Sequence, residues 1–206
     1  DRTPSKLDNT IYSLFSKQRV VDLIHSYIIF DGKVKKVSRY QQFFAIQKIM
    51  DRVNKIDNTG KRAGGLIWHT QGSGKTALTY YNVKYLSNYF QKTNVIAKFY
   101  FIVDRLDLLI QASKEFKSRG LLVHNISSRE AFAKDIKETA AIHNNSGKAE
   151  ITVVNIQKFK DDPSVVKNGD YNLNIQRVFF LDEVHRSYNP KGSFLANLEQ
   201  SDRNSI

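Results

Sequence analysis

Residues 69–76 read His-Thr-Gln-Gly-Ser-Gly-Lys-Thr, and the Gly-Lys-Thr that closes them is the end of a phosphate-binding loop. In such a loop consecutive backbone N–H groups converge on an anion, and the N-terminus of the following helix adds partial positive charge. Gly72 and Gly74 supply the tight backbone. Thr70, Gln71 and Ser73 complete the cradle, the Lys75 amine reaches the β- and γ-phosphates, and the Thr76 hydroxyl ligands Mg²⁺. Working outward, Leu66-Ile67-Trp68 predicts a strand over 65–68, and the residues after the loop predict a helix over 75–90. That is the strand–loop–helix order the motif requires. One position departs from the general pattern: Gly or Ala is expected five residues before Gly74, where His69 stands.

About a hundred residues on, Phe179-Phe180-Leu181-Asp182-Glu183 is an apolar strand ending in two adjacent carboxylates. Mg²⁺ prefers hard oxygen ligands and keeps several waters, so Asp182 at the end of a central strand is suited to hold the metal through one of them. Glu183 then faces the terminal phosphate and orients or deprotonates the attacking water. Loop and carboxylate pair together point to nucleotide hydrolysis.

The bulk properties bound the class. A chain of 206 residues, 41% hydrophobic and 25% charged, has the size and composition of one α/β core with a small appendage. No apolar run approaches the roughly 20 residues that span a bilayer, so no membrane partner is expected. The absence of cysteine excludes disulfides and thiolate metal sites, and fits a reducing cytosol. The chain begins at Asp1 and its single methionine is Met50, which reads as a piece of a longer protein. The net charge of +12 implies a polyanionic partner, because phosphates neutralised by Lys and Arg release counterions.

Along the chain, Ile11, Leu14, Phe15, Val21, Ile24 and Ile28 recur at helical spacing and predict one amphipathic helix over 9–28. Asp31-Gly32 breaks it, and a second helix carries Phe43, Phe44, Ile46, Ile49, Met50 and Val53. From residue 63 strands alternate with helices. Strands are predicted at 65–68, 98–103, 121–124, 151–155 and 177–181, and helices at 75–90, 106–118 and 128–139. Segments 140–150 and 161–174 read as loops, 189–192 as a turn, and a short helix follows from about residue 193. This alternation predicts a parallel sheet with helices on both faces.

The fuller phrases Gly-Gly-Leu-Ile-Trp-His-Thr-Gln-Gly-Ser-Gly-Lys-Thr at 64–76 and Asp-Glu-Val-His-Arg-Ser at 182–187 resemble the motor (restriction) subunit of type I restriction enzymes, within the superfamily 2 helicases and translocases. His69 fits that family, where His precedes Thr-Gln-Gly-Ser-Gly-Lys. Arg39-Tyr40-Gln41-Gln42-Phe43-Phe44-Ala45 resembles the adenine-reading Q motif, with Gln42 favoured by spacing and Gln41 left open. Phe101–Asp107 resembles motif Ia, and Ile151–Phe159 the next DNA-contacting motif, although Asn155 stands where relatives often have Thr.

The resemblance covers roughly 35–190 and implies the first RecA-like P-loop NTPase domain of an ATP- and Mg²⁺-dependent double-stranded DNA translocase. It implies a helical connector over 1–35 from an upstream nuclease, the ATPase domain over 36–206, and a second RecA-like domain downstream. Arg105, Asn155, Gln157 and Lys158 are then the expected DNA contacts, and His185 the residue coupling nucleotide state to them. The implied protein partners are the modification methyltransferase and specificity subunits. Glu115-Phe116-Lys117 is a Glu-x-Lys triplet, but it falls in a predicted helix and reads as a solvated face rather than a nuclease remnant. Two alternatives stay open: another superfamily 2 DNA motor, or a nucleotide-gated DNA-binding module that does not hydrolyse.

Overall fold

The computed structural model describes residues 5–70, 72–137, 148–155, 175–183 and 205–206. The chain opens with two helices, α1 (Lys6–Phe15) and α2 (Lys17–Ser26), where the apolar spacing predicts one. Ser5 caps α1: its hydroxyl accepts from Asp8 N at 3.2 Å, and the Asp8 carboxylate accepts from Ser5 N at 2.8 Å. The break falls at Ser16, whose ψ of 135° is extended. Arg19 bridges it by donating to the carbonyl and hydroxyl of Ser13 and stacking over Phe43. Periodicity cannot reveal such a break, because the apolar positions continue across it.

A hairpin follows, β1 (Ile28–Asp31) paired antiparallel with β2 (Val34–Val37). Gly32, at φ +63°, takes the first central position of the two-residue turn, where a type II′ geometry calls for glycine. Asp31 fastens the hairpin to the body, accepting from Lys36 Nζ at 2.6 Å and Ser118 Oγ at 2.9 Å. Helix α3 (Tyr40–Val53) then turns Ile46, Met50 and Val53 into the core along one stripe.

The remaining elements are α4 (Lys75–Lys92), β3 (Ile96–Val103), α5 (Leu106–Ser118), β4 (Leu122–Ile126), α6 (Arg129–Lys137), β5 (Glu150–Asn155) and β6 (Ile175–Leu181). The four strands form one parallel sheet in the order β4-β5-β3-β6. β3 is central and buried on both sides. Phe99, Phe101 and Val103 join the core shared with α3, α4 and α5, and Phe101 meets Phe116 edge-on at 5.3 Å. Lys98 and Tyr100 point the other way: the Tyr100 ring packs on Phe132, and Tyr100 Oη donates to Asp135 Oδ2 at 2.7 Å. Helices therefore cover both faces, as the alternating pattern predicts.

Buried cations close the C-terminus of α6. Arg177, 1% exposed, donates through Nη2 to Ile136 O at 2.7 Å, and Lys98 Nζ donates to Asp135 O at 3.0 Å. Carbonyls at a helix C-terminus carry partial negative charge, so positive groups there are favourable. Glu115 of the Glu-x-Lys triplet pairs with Arg119 at 3.0 Å at the end of α5, while Phe116 is fully buried. Glu115 and Lys117 thus lie on the outer side of a helix, as expected, with Phe116 turned into the core.

One expected element is absent. Residues 65–68 form no strand: Leu66 is 74% and Trp68 85% exposed. Intrinsic β preference is realised only when a strand finds an edge. The outer edge of β6 is met instead by Ile206, whose N–H donates to Arg177 O at 3.0 Å and whose carbonyl accepts from Phe179 N at 2.8 Å. The apolar run is left outside the sheet. The expected loops at 140–147 and 161–174, the turn at 189–192 and the helix from 193 lie outside the described residues.

Candidate nucleotide-binding site

Strands β3, β5 and β6 end together, with Val103 in register with Asn155 and Ile102 with Leu181. In open parallel sheets ligands bind beyond this carboxyl edge. Asp182 continues the ladder by donating its N–H to Ile102 O at 3.0 Å, which fixes the carboxylate pair at that edge. Glu183 follows at φ +49°, a left-handed conformation uncommon for a side chain with a Cβ and frequent at functional sites.

The phosphate loop arrives at the same place. Gly72 and Gly74 have φ of +74° and +85°, and α4 starts at once with Lys75. Ser73 N donates to Thr70 O at 3.2 Å, closing the turn, and the Ser73 hydroxyl lies 3.3 Å from His69 Nδ1. Lys75 Nζ donates to Glu183 Oε1 at 2.8 Å. Lys75 and the strand-end carboxylates therefore meet, and the direct bond is to Glu183 rather than Asp182.

Asp182 accepts at Oδ1 from Glu183 N at 3.1 Å. Its carboxyl is held above the ordinary value of 3.8 by burial and by the neighbouring Glu183 charge, with Asp104 adding a little and Lys75 opposing. A buried carboxylate beside a second one favours a cation. Together with the Thr76 hydroxyl at the head of α4, the available donors are hard oxygens, the set suited to Mg²⁺. No cluster of three or more His, Cys, Asp or Glu occurs among the described residues.

Behind the loop stands the start of α3. Gln42 is only 4% exposed, and its Nε2 donates to Gly74 O at 3.1 Å and Ser73 O at 3.4 Å. Its Oε1 accepts from Arg39 N at 2.9 Å, and Arg39 Nη1 reaches Gly72 O at 3.4 Å. Gln41 is exposed. Gln71, Gln157, Lys158 and His185 lie outside the described residues.

The other expected DNA contacts sit at the same sheet edge in unlike settings. Arg105 caps α5, half exposed, with its guanidinium forked onto Asp107, which raises its pKa. Asn155 is 5% exposed at the end of β5. Two participants were not singled out from sequence, Asp104 and Arg39. Asp104 directly follows the apolar strand β3 and is nearly buried, and that position was the available signal. Arg39 lay inside a quoted motif, but its reach to the loop is a tertiary fact.

A phosphate loop facing paired carboxylates at the carboxyl edge of a parallel, two-faced sheet defines a RecA-like nucleotide-binding α/β domain. The SWI2/SNF2 ATPase family matches residues 41–204, most of the chain, and the chain belongs to that family. It is similar to endonuclease subunits of type I restriction enzymes. The MjaVIIIP subunit of Methanocaldococcus jannaschii is 28% identical over 210 residues, covering 93% of this chain and 20% of the relative. The MjaVIIP subunit of the same organism is 45% identical over 83 residues, 40% of this chain and 7% of the relative. The HindI subunit of Haemophilus influenzae is 25% identical over 189 residues, 88% of this chain and 17% of the relative. The chain spans about a fifth or less of the length of these relatives. Among the described residues, no helix is long and apolar enough to cross a membrane.

Proposed function

We propose that this chain is the ATP-hydrolysing half of a double-stranded DNA translocase, acting within a type I restriction enzyme alongside methyltransferase and specificity subunits. The observation that carries the reading is the 2.8 Å contact between Lys75 and Glu183. It brings the two chemistry-bearing motifs to one side of the sheet.

In this reading the backbone of Thr70, Gln71, Gly72, Ser73 and Gly74 receives the phosphates, and Lys75 exchanges Glu183 for the β- and γ-phosphate oxygens. Thr76 and Asp182 hold Mg²⁺, which when bound with ATP screens the phosphate charge and aligns the leaving group. Glu183, released from Lys75, orients the attacking water and takes its proton. Arg105 and Asn155, with Gln157 and Lys158 beyond β5, face DNA phosphates, which need donors rather than base readers. His185 relays nucleotide state to them, and Gln42 or Gln41 meets the adenine.

The test is ATPase activity of the full chain with and without duplex DNA. A motor predicts hydrolysis that rises with DNA. ATP binding without any DNA-stimulated turnover would identify a nucleotide-gated binder instead.

A further inference from the structure

Resting on the reading of this chain as a duplex DNA motor, we propose that the β1–β2 turn and the end of α5 form a second contact for the DNA phosphate backbone, made by Lys33, Lys35, Lys114 and Lys117. The site lies away from the nucleotide edge of the sheet. Helix α5 leaves that edge after β3 and ends at Ser118, shortly before β4 starts at Leu122 from the opposite edge.

Docking of the hairpin brings the four lysines together. Asp31 accepts from Ser118 Oγ at 2.9 Å and lies 3.6 Å from Arg119 Nη2, and Gly32 N donates to Ser118 O at 3.4 Å. Lys33 follows Gly32 and Lys117 precedes Ser118, so the two flank this junction. Lys114 is on the same helix face, one turn back from Ser118. Lys35 pairs with Phe30 across the hairpin, on the face opposite the buried Ile29.

The acids of the junction are already matched. Asp31 is held by Lys36 at 2.6 Å and by Arg119, and Glu115 by Arg119 at 3.0 Å. Lys33, Lys35, Lys114 and Lys117 are all exposed, and none forms an ion pair among the described residues. Like charges fixed near one another repel, and a polyanion relieves the repulsion. Ammonium groups act as point charges that suit phosphates rather than base edges.

The course of α5 favours DNA over an acidic protein surface. Its exposed stripe runs through Leu106, Ile110, Lys114 and Lys117, from beside Arg105 to the junction. At the helical rise of about 1.5 Å per residue, Arg105 and Lys117 stand about 18 Å apart, the length of about five base pairs. A duplex laid along the stripe meets Arg105 at one end and the lysines at the other. Leu106 and Ile110 between them are uncharged, and Asp107 is held by Arg105.

Binding of a labelled duplex to the full chain, read by fluorescence anisotropy across a salt series, tests the site. The combined variant Lys33→Gln, Lys35→Gln, Lys114→Gln and Lys117→Gln should lower the slope of log affinity against log salt by about three to four, and Arg105→Gln by about one. The same four positions changed to Arg should keep the wild-type slope. Melting temperature and Mg²⁺-ATP affinity of the lysine variants should match the wild type, since all four side chains are exposed and lie away from the nucleotide edge. A wild-type slope in the four-Gln variant would overturn the inference alone. Lost assembly with the methyltransferase and specificity subunits beside that unchanged slope would assign the lysines to an acidic protein surface instead. A wild-type chain that binds no duplex would overturn the motor reading and this inference with it.

Discussion

The Lys75 ammonium lies 2.8 Å from Glu183 Oε1, joining two motifs 108 residues apart in the chain. In the proposed mechanism each must be released, Lys75 for phosphate and Glu183 for water. The pair is partly solvated, with side chains 37% and 25% exposed, so the contact is worth at most about 1 kcal/mol. A triphosphate carrying several charges displaces such a contact readily.

The environment of Asp182 predicts a pH-dependent stability. Burial and Glu183 raise its pKa above 3.8, so the folded state binds that proton more tightly than the unfolded chain does. The resulting stability is present below 3.8 and is lost as pH rises through the folded-state pKa, leaving an ionised Asp182 unfavourable at neutral pH. Asp182→Asn should therefore raise the melting temperature at pH 7 without nucleotide, and the gain should shrink as pH falls toward 4. With Mg²⁺-ATP present the order should reverse, because only the wild type holds the ion. Thermal melting at three pH values, with and without Mg²⁺-ATP, checks both signs.

Core and surface aromatic residues should separate cleanly. Phe116 is fully buried against Phe101, and Phe116→Ala should cost about 3–5 kcal/mol. Trp68, 85% exposed, should change stability by less than about 0.5 kcal/mol when replaced by Ala. Urea unfolding of the two variants measures the contrast. A large loss for Trp68→Ala would mean that residues 65–68 are packed.

Arg177 should matter through α6. Its guanidinium is buried on Ile136 O, so Arg177→Met removes charged donors from a helix end that water reaches poorly. A loss of about 2–3 kcal/mol is expected, with amide exchange rising first in residues 129–137. Uniform exchange across the sheet would contradict a local role.

Much of this was legible in the sequence, for identifiable reasons. Phe99–Val103 and Ile151–Asn155 are short apolar runs, rich in β-branched and aromatic residues, set between helical stretches, the pattern of strands buried on both faces. Helix α5 was bounded correctly at both ends, because apolar period and flanking residues agree there. Lys75, Asp182 and Glu183 stand out in the sequence because phosphate chemistry restricts residue type and order, and the structure brings Lys75 to Glu183. The misses are tertiary. The hairpin 28–37 hid in a basic stretch, and Ser16 broke a helix without disturbing its apolar period. Leu66-Ile67-Trp68 has every local mark of a strand, yet Ile206 takes the edge of β6. Gln42 was marked by motif, while its bond to the loop depends on how α3 packs against α4, which no spacing rule contains.

The central claim is that Lys75 and the Asp182–Glu183 pair surround one triphosphate, and Mg²⁺-ATP affinity in two variants of the full chain tests it most directly. Lys75→Ala should lose binding by about a hundredfold or more, since it removes a charged contact to the phosphates. Glu183→Gln should bind about two- to fivefold more tightly than the wild type, since it frees Lys75 from its resting partner, and should hydrolyse far more slowly. Unchanged affinity in Lys75→Ala, or affinity lost in Glu183→Gln as in Lys75→Ala, would contradict the account.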